Sequence, residues 1–105
     1  GLQAEGVAAP LVSWALSREI LLLARISAAI AHGENVDDVL QNLRVWRRRQ
    51  PLVKQGVARF RRHDFKALIA HAAQVDGMVK GAEGARPWEA LTGLLLALLR
   101  PARVH

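Results

Sequence analysis

Apolar positions along the chain fall into blocks at helical spacing, separated by glycines, prolines and short polar clusters. Between Pro10 and Gly33 there is no further Gly or Pro, and polar positions are sparse: Ser13, Ser17, Arg18, Glu19, Arg25 and Ser27. Ile20, Leu21, Leu22 and Leu23 point in every direction around a helix. A helix apolar nearly all round is a central one, packed on several sides. The other reading is that one of those sides meets another protein. Upstream, Leu2-Gln3-Ala4-Glu5 followed by Gly6 reads as a helix end with its C′ glycine, and Pro10 as the first turn of a new helix. Residues 1–9 are therefore expected to be the tail of a preceding helix and a linker.

Further along, Asn35 is placed to cap a helix carrying Val36, Val39, Leu40 and Leu43, with Asp37 and Asp38 in its first turn. Pro51 opens the next helix, whose apolar side is Leu52, Val53, Val57 and Phe60. Asp64 is the expected N-cap of a fourth, with Phe65, Leu68, Ile69, Ala72 and Val75 at a period near 3.6 and Met78 and Val79 extending it. Residues 81–86 form a loop, Pro87 opens a last helix, and Pro101 ends it. No alternating strand pattern and no solenoid-length repeat occurs. The expectation is an all-α fold, a single compact bundle of about five helices over residues 10–100, with 101–105 as a tail.

Composition narrows the class. A chain of 105 residues with 51% hydrophobic and 23% charged positions is one domain's worth and can build a core. Only 5% of residues are aromatic, so aliphatic side chains must fill that core; Trp14 and Trp88 belong either to it, the preferred reading, or to an interface. The absence of cysteine removes disulfides, thiolate nucleophiles and Cys-type zinc sites, and fits a cytoplasmic protein. The longest unbroken apolar stretch, residues 93–99, is far too short to span a bilayer. No membrane partner is expected.

Catalytic ingredients are poor. The hydroxyls Ser13, Ser17, Ser27 and Thr92 lack a nucleophile-elbow context, and His32, His63, His71 and His105 show no metal-ligand spacing. Gly77, Gly81 and Gly84 follow a helix rather than a strand, with no Gly-Lys-Ser/Thr beside them. Asp37 and Asp38, being adjacent, diverge on a helix. No enzyme activity, cofactor, metal or small-molecule substrate is expected of this segment.

Charge is where the chain is unusual. The net charge of +6 is concentrated in residues 44–62, which hold eight of the fifteen basic residues and no acid. Within it, Arg44-Val45-Trp46-Arg47-Arg48-Arg49 sets a tryptophan among arginines. Guanidinium forks bind phosphates, and an interleaved indole can stack on an unpaired base. Two other readings stay open: a solvated basic face with Trp46 folded into the core, and an acidic patch on a partner protein that meets the arginines.

Several blocks together resemble a known family. They are Pro10-Leu11-Val12-x-Trp14-Ala15-Leu16-x-Arg18-Glu19-Ile20, Arg44-Val45-Trp46-x-x-Arg49 with Pro51-Leu52-Val53, Val75-Asp76-x-x-Val79-Lys80-Gly81, and Pro87-Trp88-Glu89-Ala90-Leu91. In this order and over nearly the whole chain, they resemble the C-terminal domain of the bacterial DNA polymerase III delta subunit, part of the clamp loader. The resemblance implies a cytoplasmic, bacterial, helical collar domain (residues 10–100) that joins delta to the other loader subunits in a ring. It implies no ATP hydrolysis and no clamp opening here, since those elements lie N-terminal to the collar in that family.

The resemblance also implies a template-DNA contact at Trp46, with Arg44, Arg47, Arg48 and Arg49 as its phosphate ligands on primer-template or single-stranded DNA. Where the family sometimes has a second aromatic, this chain has Glu83-Gly84-Ala85-Arg86. Subunit contacts are expected from the apolar surplus of the first and last long helices, at Leu21, Leu22, Ile26, Leu95 and Leu98. The alternative is an independent all-helical nucleic-acid-binding domain using residues 44–62.

Overall fold

Helix α1, Leu2–Ala31, runs the length of the molecule. Its 30 residues, at a rise of about 1.5 Å each, account for the 45 Å long axis of a slab measuring 45 × 31 × 19 Å. The computed structural model describes residues 2–60, 62–81 and 86–99. Among these residues, α1 is followed by α2 (Val36–Asn42), a 3₁₀ turn (Arg47–Arg49), α3 (Gln50–Arg59), α4 (Arg62–Val79) and α5 (Pro87–Leu98), with no strand. The periodicity predicts this all-α bundle of five helices.

Most boundaries follow local chemistry. Past the end of α1, Gly33 adopts φ +91°, its N–H bonds the Ile30 carbonyl, and the Glu34 N–H reaches back to Ala29. That is a Schellman closure, and it needs the left-handed conformation glycine accepts freely. The Asn35 side chain then accepts from the N–H groups of Asp37 and Asp38, capping α2 as expected. Pro51 and Pro87 sit in the first turns of α3 and α5.

At the start of the chain local punctuation loses. The break expected between residues 1–9 and the bundle is absent: α1 continues through Gly6 and Pro10. Pro10 has no N–H for the Gly6 carbonyl, a defect that ordinarily costs about 3 kcal/mol. Ala9 and Ser13 on either side of it are buried, so packing offsets the defect. A smaller correction concerns Asp64. Helix α4 starts two residues earlier, at Arg62, which puts Asp64 in the first turn rather than at the cap.

α1 packs against all four other α-helices, as a central helix should. It contributes Ala9, Ile20, Leu23 and Ile26 to the core, where they meet Val39 and Leu40, Val53, the series Phe65, Leu68, Ala72 and Val75, and Leu91, Leu94 and Leu98. At Gly56 a Cβ would stand 3.1 Å from a Leu23 methyl, so α3 approaches α1 closely there and a side chain at this position would need Leu23 to shift by a few tenths of an ångström. Buried Ser13 donates to an Asp76 carboxylate oxygen at 3.4 Å, and Lys80 pairs with the other oxygen at 2.9 Å.

Several apolar residues expected inside are outside. Trp14 is 54% exposed and Trp88 37% exposed, so neither is a core residue. Leu52 is also exposed, while its neighbour Val53 carries the α3 contact. α1 buries one face through Ser13, Ile20, Leu23 and Ile26; Trp14, one position on from Ser13, is turned by roughly 100° away from it.

Candidate nucleic-acid interface

The connection from α2 to α3 is short and heavily bonded. α2 ends in a second Schellman closure: the Arg44 N–H bonds the Gln41 carbonyl, and the Val45 N–H bonds that of Leu40, each at 3.0 Å. The left-handed position here belongs to Arg44, at φ 57°, where glycine is usual. An L-residue held there costs on the order of 1 kcal/mol. Val45 then turns in and packs against the core. Its carbonyl accepts from Gln50 Nε2 at 3.1 Å.

On the other side of Trp46, the 3₁₀ turn is anchored twice. The Trp46 carbonyl accepts from the N–H groups of Arg49 and Gln50, at 2.8 and 3.1 Å. Arg49 Nη2 lies 2.7 and 2.6 Å from the two carboxylate oxygens of Glu19, on α1. Both neighbours of the tryptophan are thus fixed, and its own side chain points away. Trp46 is 77% exposed, which excludes the reading that folds it into the core. The result is a large aromatic ring left in water on a turn whose backbone is tied down.

The positive charge around it is narrower than the sequence suggests. Glu19 neutralises Arg49, Asp37 pairs with Lys54 at 2.7 Å, and Arg59 donates to the Leu98 carbonyl at the C-terminal end of α5 at 3.2 Å. Arg61 and the Arg62 side chain lie outside the described residues. Exposed Arg44, Arg47 and Arg48 remain, and no acid pairs with them among the described residues. These three guanidiniums fall within five residues of chain and flank Trp46. An unpaired base on the indole with phosphates on these three guanidiniums would use the exposed groups of the turn that have no partner within the chain among the described residues.

Sequence reasoning found this segment from its composition but missed what holds it. Neither Glu19 nor Gln50 stood out. The one available signal was that Glu19 is the sole acid between Gly6 and Gly33.

A second surface lies on the outward side of α1. Leu11, Trp14, Arg18, Leu21 and Arg25 are all exposed and recur at spacings of three and four, the period of a helix-pairing seam. Beside the seam, Trp14, Leu21, Ile69 and Ala73 line a groove of about 330 Å³ between α1 and α4. The Arg18 guanidinium lies 4.9 Å from the Trp14 ring centre, so the protein already covers one face of that indole.

The interface candidates therefore separate. Leu21 and Leu95 are exposed and available, and Leu22 is half-buried. Ile26 is fully buried and Leu98 nearly so, both inside this chain's own core, which removes them as surface contacts. Leu96 on α5 and Leu99 just past its end are exposed as well.

Glu83, Gly84 and Ala85 lie outside the described residues, and Arg86, which precedes α5, pairs with Glu89 at 3.2 Å. Among the described residues no group of three or more His, Asp or Glu side chains could hold a metal ion, and no helix is long and apolar enough to cross a membrane. The chain matches no protein-family model, no curated protein and no solved structure in comparisons with each.

Proposed function

We propose that this chain is the helical collar domain of a DNA polymerase III delta subunit: a non-catalytic assembly domain that also touches template DNA. The ordered sequence blocks that resemble that family support the assignment, together with an all-α bundle that leaves a pairing seam exposed on its central helix. The seam and the exposed leucines of α5 are the surfaces for neighbouring loader subunits, whose helices would bury Leu11, Trp14 and Leu21 at the centre of the contact. The DNA contact is the tip of the α2–α3 turn, with Trp46 stacking on an unpaired base and Arg44, Arg47 and Arg48 on phosphates.

The observation that carries the DNA contact is the exposure of Trp46 on a turn bonded at both ends. Reversing Arg47 and Arg48 to Glu, scored separately for binding to a primer-template junction and for co-elution with loader subunits, tests it. The proposal expects loss of DNA binding with assembly retained. Loss of assembly with DNA binding intact would mean that the arginines meet an acidic protein patch. The alternative, an independent nucleic-acid-binding domain, predicts DNA binding but no co-elution with loader subunits by the folded wild-type domain.

A further inference from the structure

We infer that Glu19 is an intramolecular stand-in for a phosphate, holding Arg49 in reserve and so limiting the strength of the polyanion contact at the Trp46 turn. This inference rests on the DNA-contact reading above and adds its regulation. Arg49 belongs to the same short turn as Arg47 and Arg48, and by sequence it is an equal member of the cluster. By geometry it is not. One guanidinium nitrogen lies within 2.7 Å of both Glu19 oxygens, the kind of short charge-assisted contact a phosphate would make.

The pair is accessible enough to exchange. The Arg49 and Glu19 side chains keep 48% and 33% of their surface in water, and exposed ion pairs of this kind are worth about 0–1 kcal/mol. A phosphate arriving beside Trp46 meets an Arg49 charge that Glu19 already cancels, so in the wild type the exchange brings no net gain and Arg49 adds nothing to the salt dependence. Among the described side chains, the charged groups on the helices that meet here are Arg18, Glu19 and Arg25 on α1, Asp37 and Asp38 on α2, and Lys54 and Arg59 on α3, with Asp37 held by Lys54 and Arg59 on the Leu98 carbonyl. Glu19 is the acid in contact with the turn.

Replacing Glu19 by Gln removes the charge but keeps an acceptor for Arg49, so the turn retains its anchor. The experiment is the salt dependence of binding to a short oligothymidylate, with wild type, Glu19→Gln, Arg49→Gln, and Glu34→Gln as a control for net charge. Three unpaired arginines give a wild-type slope of log affinity against log salt of about −2, and a released fourth steepens it by about 0.7. Glu19→Gln is expected to bind more tightly, by a margin that shrinks about 2.6-fold between about 50 and about 200 mM salt. Arg49→Gln alone should leave the slope unchanged, and Glu34→Gln should not reproduce the steepening.

An unchanged slope in Glu19→Gln overturns the inference, because Arg49 then contributes nothing when released. Weaker binding overturns it too, and makes the pair a device for positioning the turn. Circular dichroism and a thermal melt on each variant separate these outcomes from unfolding. Failure of wild type to bind at low salt would instead sink the DNA-contact reading itself.

Discussion

Trp14 and Trp46 both stand on the surface of this domain, and their surroundings differ in kind. Trp14 projects from the middle of a long helix, one face under the Arg18 guanidinium and one edge on the α1–α4 groove. Trp46 projects from a turn, with its backbone fixed on both sides, arginines around it, and no guanidinium over its ring among the described residues. The first is built into an apolar seam that another helix can cover. The second is presented as a bare ring in a cationic setting. Exposure alone does not define a binding residue; what the protein has already placed against the ring separates the two.

The largest effect expected on this comparison comes from beneath the turn. Leu40 is fully buried, and its carbonyl closes the bond to Val45. Leu40→Ala should cost about 2–5 kcal/mol in denaturant unfolding and weaken DNA binding as the turn loosens. If stability falls but DNA affinity holds, presentation by the turn is not what makes Trp46 competent.

Arg44→Gly should separate stability from binding. Glycine relieves the left-handed strain, raising stability by less than about 1 kcal/mol because its own unfolded-state freedom takes back part of the gain. It also removes one phosphate ligand, so the salt slope should become shallower by about 0.7. A variant that is both less stable and unchanged in slope would contradict the account of this position.

A subtler effect belongs to Arg18→Ala. Loss of an exposed cation–π contact is worth about 0.5–1 kcal/mol, and uncovering Trp14 should raise total tryptophan quenching by acrylamide. DNA affinity should not move by more than the loss of one remote charge allows.

What could be read from the sequence was mostly what is local. Gly33, Asn35, Pro51 and Pro87 mark helix ends because each acts on backbone groups within four residues, and each does so in the structure. Gly6 and Pro10 send the same kind of signal, but burial of Ala9 and Ser13 overrides it. The facing of Trp14 and Trp88 was not legible, because a helix apolar on every side gives periodicity nothing to choose between. Leu52 lies on the amphipathic α3, where adjacent Leu52 and Val53 both fit the expected apolar side and packing buries only Val53. Nor was the bond from Arg49 to Glu19, 30 residues apart in the chain and joined only once α1 and the turn are packed together. The site was visible as composition; which of its cations are unpaired was decided by tertiary structure.

The central claim is that Trp46 is a stacking group held ready by the fold. Fluorescence anisotropy of a labelled single-stranded oligonucleotide, with wild type and Trp46→Ala at low salt, tests it most directly. The account predicts a loss of about 1–3 kcal/mol in binding for each base stacked, with the melting temperature unchanged because the ring contributes little to the core. Equal affinity for the two proteins, with both folded, would contradict it.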